Sequence, residues 1–297
     1  KMDENLGISG NSNQALQAAK GEYVALLDHD DVLTEDALYW VVDALQRERY
    51  DVVYSDEDRM VENGSHYLEP RFKTEFDIDL LRAYNYISHL FVARRALMLA
   101  DGGFHSLYDG AQGYDMILRC CEGSREICHI PRVLYHKRIH DRTSSEREAK
   151  HAQENLAGKE ALEAHVAREH LLARVMMTDQ RSVYEVKYDT PGNPLVSMII
   201  TGHTNRALME RMLGPFYEKT RYSNFEIIIV DEDRTDEELQ KYYQQMQNRR
   251  RNIAVVEAEP GKSSTECRNL GTLHVNGSFL LFLDANMEIG DTTALGE

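Results

Sequence analysis

No apolar run in this 297-residue chain approaches the roughly 18 residues that a membrane-spanning helix needs. Lys1 to Asn5 lack the basic-then-apolar order of a secretory signal. Cysteine is sparse as well: Cys120, Cys121, Cys128 and Cys267 form no CxxC pair, so reduced thiols are expected and structural disulfides are not. Together these absences lead to the expectation of a soluble, cytoplasmic chain. Positive charge is also in deficit. Lys and Arg number 34 against 50 Asp and Glu, a formal charge of −16, which opposes nonspecific attraction to nucleic acid and to anionic lipid. No nucleic-acid partner is expected, and a phosphate ligand would need a local cation. The apolar content of 42% is ordinary for a folded protein, which argues against disorder.

What is present alternates. Asn13 to Lys20 reads as a helix and Tyr23 to Leu27 as a buried strand, followed directly by Asp28-His29-Asp30-Asp31. Thr34 with Glu35 and Asp36 supplies a cap and acidic first turn for a helix through Leu45, with Ala37, Leu38, Val41 and Leu45 on one face. Val52 to Ser55 and His89 to Ala93 read as strands, and Gly113 to Cys121 as a helix. Ser144 to Met176 is rich in Ala, Glu, Lys and Leu without proline, interrupted only by Gly158, and reads as a connecting helix. After Pro191-Gly192-Asn193-Pro194 a second series begins, with strands Val196 to Thr201, Glu226 to Asp231, Ile253 to Glu257 and Phe279 to Asp284. The pattern predicts an α/β fold. An internal repeat organises it: Asn13, Gly21, Leu27 and Asp28 recur 256 residues later as Asn269, Gly277, Leu283 and Asp284.

Carboxylates at the carboxyl end of a buried strand can hold a divalent cation against a diphosphate, and Asp28, Asp30 and Asp31 meet that need. Alternation along an extended segment points Asp28 and Asp30 the same way, which makes Asp30 the first-choice metal ligand. The bland alternative is a solvated loop capping a helix. His136 and His140 are spaced i, i+4 in YHKRIH, but Val133 to Arg138 looks extended, so a paired-histidine site is not expected.

The stretch from Asn5 to Asp31, with YSDED (54–58), the run from Phe72 to Arg95, GGF (102–104), GAQGYDMILR (110–119) and HIPRVLYHKRIH (129–140), resembles inverting GT-A glycosyltransferases. These belong to the large bacterial polysaccharide-building family, glycosyltransferase family 2-like. The resemblance implies a GT-A, Rossmann-like mixed sheet flanked by helices. It implies a nucleotide-diphosphate-sugar donor, a glycan or glycolipid acceptor, Mn2+ or Mg2+ as cofactor, and peripheral membrane association of the full-length protein. By the same resemblance, Asp28 and Asp30 ligate the metal with Asp31 beside the donor. His136 completes the metal shell or closes over the diphosphate, and Lys137 or Arg138 neutralises phosphate charge. Asn85, Ser88 and His89 fall on the acceptor side. The family's base is the first aspartate of a Q-D-Y-D pattern, where this chain has Gln112-Gly113-Tyr114-Asp115. Asp115 is the nearest remaining carboxylate, and two readings stand: catalytic base, or structural residue at a helix end.

Residues 194 to 289 resemble the nucleotide-binding half of the same fold, with Thr201 and Asp231 as donor contacts and Asp284-Ala285-Asn286 in place of the metal motif. The expected domains are residues 1–150, the C-terminal part of one catalytic domain; 151–190, a connecting helix and linker; and 191–297, the N-terminal part of a second. The two parts are expected to pair into one permuted fold, within the chain or by exchange in a homodimer. Gly113 also keeps open a noncatalytic nucleotide- or glycan-binding role. A nucleotidyltransferase is disfavoured because no glycine-rich, lysine-containing loop is evident.

Overall fold

The computed structural model describes residues 4–139, 144–189, 192–202, 204–232 and 235–287, with side-chain detail outside 144–150. The chain divides into two compact units, Lys1–Asp189 and Thr190–Glu297. Among the described residues no helix is long and apolar enough to cross a membrane.

The first unit runs α1 (Gly7–Ala18), β1 (Tyr23–Leu26), β2 (Val32–Leu33), α2 (Ala37–Arg47), β3 (Val52–Met60), β4 (Tyr67–Arg71), α3 (Ile78–Ala83), β5 (Phe91–Arg94), α4 (Arg95–Ala100), α5 (Gln112–Glu122), β6 (Ile127–Arg138), α6 (Ser144–Arg168), β7 (Ala173–Met177) and β8 (Tyr184–Tyr188). Its main sheet has the order β1-β5-β3-β6-β2, with β4 added to β3. The β3/β6 pair is parallel and the other pairs are antiparallel, so the expected mixed α/β sheet is present.

Period-2 alternation gives the sheet two apolar faces. Val52, Tyr54, Phe91 and Ala93 pack with Met116 and Ile117 of α5 and Leu162 of α6. Val53, Val92 and Leu134 pack with Ala37, Val41 and Ala44 of α2. Leu38, expected on that helix's buried face, is 62% exposed, and α2 begins with Asp36 rather than Thr34 in the cap position. β3 continues through Ser55-Asp56-Glu57-Asp58, all buried, where four polar residues in a row hide the strand from a hydrophobicity pattern.

The segment read as one connecting helix is a helix followed by a hairpin. Helix α6 ends at Arg168, and Ala173–Met177 is strand β7, antiparallel to β8. Ala157, Ala161, Leu162, His165 and Val166 form its buried stripe. Glu122 of α5 accepts hydrogen bonds from both Nε and Nη2 of Arg168 at 2.7 Å and pairs with His165 at 2.6 Å. Burial would raise the Glu122 pKa, but these hydrogen bonds outweigh it and hold the carboxyl below its ordinary range.

The second unit runs β9 (Val196–Thr201), α7 (Arg206–Lys219), β10 (Phe225–Asp231), α8 (Glu237–Arg249), β11 (Ile253–Glu257), α9 (Ser264–Thr272) and β12 (Phe279–Asp284). All pairs are parallel in the order β11-β10-β9-β12, so the chain reverses its direction of growth between β9 and β12. β9 and β10 already have a parallel neighbour on each side, and among the described residues the strands of each unit pair only with one another.

Gly158 has a packing reason. A Cβ there would collide with the hydroxyl of Tyr184, a buried β8 residue that donates to the Asn155 carbonyl at 3.1 Å. Helix propensity alone favours Gly158→Ala by about 1 kcal/mol, yet overpacking costs about 1–3 kcal/mol. Gly158→Ala is therefore expected to lower the urea midpoint, and an unchanged or higher midpoint would contradict this packing.

Candidate active site

Strand β1 stops at Leu26, before the acidic run. The chain then turns: Asp31 N–H donates to the Asp28 carbonyl at 3.2 Å. Alternation therefore no longer governs residues 28 to 31, and Asp28 converges with Asp31 rather than with Asp30. The third member of the group is His89, which lies just before β5. Ligand atoms of Asp28, Asp31 and His89 all fall within 4.8 Å of one another. Asp30 lines the same cleft, but its carboxylate is not among the three that converge; it lies 3.7 Å from His29 Nδ1.

The end of β6 holds this group in place. Tyr135 Oη donates to Asp31 Oδ2 at 2.6 Å and accepts from the Asp28 N–H at 3.3 Å, while its ring stacks on His89 at 4.7 Å. Arg138 N–H donates to Asp31 Oδ1 at 2.8 Å, and Arg138 Nε to the Asp30 carbonyl at 2.7 Å. Lys137 Nζ lies 3.2 Å from His89 Nε2. Asp28, Asp30, Asp31, His89, Lys137 and Arg138 thus line one cleft of about 630 Å3.

Two carboxylates and an imidazole form a mixed oxygen and nitrogen donor set that can hold a divalent cation. Burial, with Lys137, Lys73 and Arg71 nearby, pushes His89 down to about 3, so its ring is neutral and able to ligate at physiological pH. Burial and then the Asp31 carboxylate raise Asp28 above its ordinary range. The residues present fit a divalent cation, and Lys137 and Arg138 add the positive charge a diphosphate needs.

His136, expected in the metal shell, lies elsewhere. Along β6 the side chains of Tyr135 and Lys137 reach Asp31 and His89, while His136 takes the other side of the strand. There its Nδ1 pairs with Asp58 at 2.5 Å and its ring packs on Tyr67. The register that places His136 beside Asp58 of β3 fixes this. His140 lies outside the described residues.

Asp115 does not line the cleft either. It is fully buried in α5, accepting from Arg119 Nε at 3.1 Å and Nη2 at 2.7 Å. Of the two readings, its surroundings match the structural one. Gly113 and Tyr114 of the same turn do line the cleft, and a Cβ on Gly113 would meet nothing within 4 Å. One functional candidate escaped the sequence reading. Glu154 of α6 lines the cleft, with Arg181 Nη2 donating to it at 2.9 Å. It sits in a helix whose pattern signals only length and amphipathicity.

In the second unit Thr201 and Asp231 end the adjacent parallel strands β9 and β10, and Asp284 pairs in register with Thr201 from β12. Thr201 and Asp231 are both buried; Gln240 Nε2 donates to Asp231 at 2.5 Å, and Thr201 Oγ1 has no hydrogen-bond partner among the described residues. They stand at the carboxyl edge beside the reversal of strand order, the side on which open α/β sheets bind ligands.

Residues 1–99 match the model of "Glycosyl transferase family 2". The chain is similar to uncharacterized protein y4gI of Sinorhizobium fredii, 34% identical over 95% of this chain and 31% of that protein. It is also similar to O-antigen biosynthesis protein RfbC of Myxococcus xanthus, 32% identical over 96% of this chain and 22% of that protein. The chain thus spans less than a third of these relatives' length. Among solved structures, S. aureus TarS 1-349 in complex with UDP-GlcNAc aligns over 55% of this chain and 53% of that one, at 18% identity and TM-score 0.39. The matched residues 1–99 contain Asp28, Asp31 and His89.

The raised pKa of Asp28 has a stability consequence. A group raised on folding contributes stability that is present below its unfolded pKa and lost as pH rises through the folded value. At neutral pH the ionised carboxylate therefore costs stability unless a cation offsets it. In chelator at pH 7, Asp28→Asn should raise the thermal midpoint, and it should abolish any rise on adding Mn2+. A lower midpoint in chelator would contradict this account.

Proposed function

We infer that the first unit transfers a sugar from a nucleotide-diphosphate donor to a hydroxyl of a glycan or glycolipid, with inversion at the anomeric carbon and with a divalent cation bound. The convergence of Asp28, Asp31 and His89 beside Lys137 and Arg138, inside the family segment, carries this reading. The O-antigen biosynthesis in RfbC's name agrees with it. A bound Mn2+ or Mg2+ would stabilise the departing diphosphate. Asp28, Asp31 and His89 would hold it, and Lys137 and Arg138 would meet the remaining phosphate charge. The acceptor oxygen attacks the anomeric carbon while the bond to the diphosphate oxygen breaks and its electron pair leaves with the phosphate. The acceptor proton needs a carboxylate outside the convergent group; in the cleft these are Asp30 and Glu154.

Calorimetric titration with UDP, UDP-sugars and dTDP-sugars, with and without Mn2+, tests the donor site. Expected is Mn2+-dependent binding that weakens at least tenfold, about 1.4 kcal/mol, in Asp28→Ala and in His89→Ala. Full binding in both variants would overturn the assignment, and binding that ignores Mn2+ would assign the charge role to Lys137.

A second reading, a noncatalytic module that binds nucleotide or glycan, draws on Gly113 and on the buried Asp115. The open space at Gly113 separates the two. An aspartate there is sterically free and favourable in a helix's first turn, so Gly113→Asp should fold with an unchanged thermal midpoint. On the transferase reading it should raise donor turnover severalfold; donor binding with no turnover in either protein would favour the binding module. The pairing of Thr201 and Asp231 with a nucleotide in the second unit belongs to the same proposal.

A further inference from the structure

Beside the donor cleft lies a larger groove of about 1200 Å3, which shares Asn85, Ser88, His89, Lys137, Arg181 and Ser182 with it. Its charge runs against that of the whole chain. Arg59, Arg71, Lys73, Lys137 and Arg181 line it, and Glu57 is the one carboxylate among the lining residues, in a chain of net charge −16. Glu57 is nearly buried and is claimed by Arg71 at 3.5 Å and Lys73 at 3.8 Å. Arg59 and Arg181 are paired with Glu69 and Glu154, which lie outside the groove lining. Lys137 is exposed, and its ammonium meets the His89 ring.

The groove also has flat apolar faces. Phe72 is 76% exposed and Tyr84 is 40% exposed, an unusual outlay of aromatic surface on neighbouring elements. Exposed rings beside cations suit a ligand that carries sugar C–H faces and negative charge together. The roof is built rather than incidental. The β7–β8 turn contributes Arg181 and Ser182 to both cavities, and Asn155 of α6 fixes it by accepting from the Ser182 N–H at 2.9 Å.

We propose that this groove holds the acceptor strand and selects for an anionic glycan, one bearing carboxylate or phosphate groups along its length. The inference rests on the transferase reading, because continuity with the donor cleft is what makes the bound glycan an acceptor. Arg71 and Phe72 select the strand, while Lys137 and His89 sit where its end enters the donor cleft.

The test is calorimetry of the whole chain with a galacturonic-acid hexamer, a glycerol-phosphate oligomer of similar length, and neutral maltohexaose. UDP with Mn2+ is titrated in parallel. At least one anionic oligomer should bind tenfold or more tightly than maltohexaose, and the arm that binds identifies carboxylate or phosphate as the charge read. Arg71→Glu should weaken that binding at least tenfold, and Phe72→Ala at least threefold, with UDP affinity unchanged. Both side chains are more than half exposed, but Arg71 pairs with nearly buried Glu57, so Arg71→Gln is measured beside Arg71→Glu and should weaken the anionic oligomer in the same direction with UDP affinity unchanged. Equal binding of maltohexaose, or unaltered affinity in both variants, would overturn the proposal. Anionic-glycan binding in a chain that fails to bind UDP would leave the groove standing and remove the donor reading, so the two failures are distinguishable.

Discussion

The tyrosine at position 135 ties the acidic turn, the imidazole and the sheet into one object. Its hydroxyl accepts from the Asp28 N–H and donates to Asp31, and its ring stacks on His89, so one side chain from β6 touches all three converging groups. Tyr135 is itself fully buried against the α2 face of the sheet, which leaves its ring no freedom to drift. Burial and the bond to Asp31 push its hydroxyl pKa well up, so it stays a donor across the physiological range. Two carboxylates this close repel one another, and an orienting donor fixed by core packing is a way to hold them in place. The position of β6 between β3 and β2 in the sheet order thus decides where the site is.

The continuous apolar runs of β9 and β10 were legible because those strands are bounded by turn residues and buried on both faces, so composition and boundary agreed. The strand-end acidic motif was legible as a motif, but its geometry was not. Asp30 was favoured by carrying strand alternation past Leu26, and the turn closed by Asp31 onto Asp28 ends that alternation. His89 was seen only as a polar residue on the acceptor side, since its nearness to Asp28 depends on how β5 lies beside β1 in the sheet. His136 looked available because sequence does not say which face of β6 it takes; register with Asp58 decides that. The buried Ser55-Asp56-Glu57-Asp58 run was unreadable for a different reason. Its burial is made possible by distant partners, among them His129 and the Lys73 N–H on Asp56 and His136 on Asp58.

Stability and chemistry pull in opposite directions at the cleft. Asp28 is ionised at a cost, Lys73 is pushed by burial down to about 8, and His89 is held neutral. A chain selected for stability alone would replace such groups with apolar ones. Asp28 and His89 line the cleft, and His89 and Lys73 the groove beside it, whereas Asp115 and Arg119 pair inside α5; that contrast sets groups facing a cavity apart from groups engaged within the fold.

The net charge of −16 does not conflict with a phosphate-bearing substrate once distance is considered. At physiological salt the field of an exposed charge decays over roughly 8 Å, so most of the chain's carboxylates act weakly at the cleft. Lys137 and Arg138 act within contact distance, in a cavity whose walls are partly apolar and whose screening is accordingly weaker. Global charge then influences how often a polyanion arrives, and the few local cations determine whether it stays. Composition sets that global term and gives no indication of where the cations of β6 and the β7–β8 turn gather. Affinity for an anionic ligand is a property of that small cluster, set by the register of one strand and the anchoring of one turn.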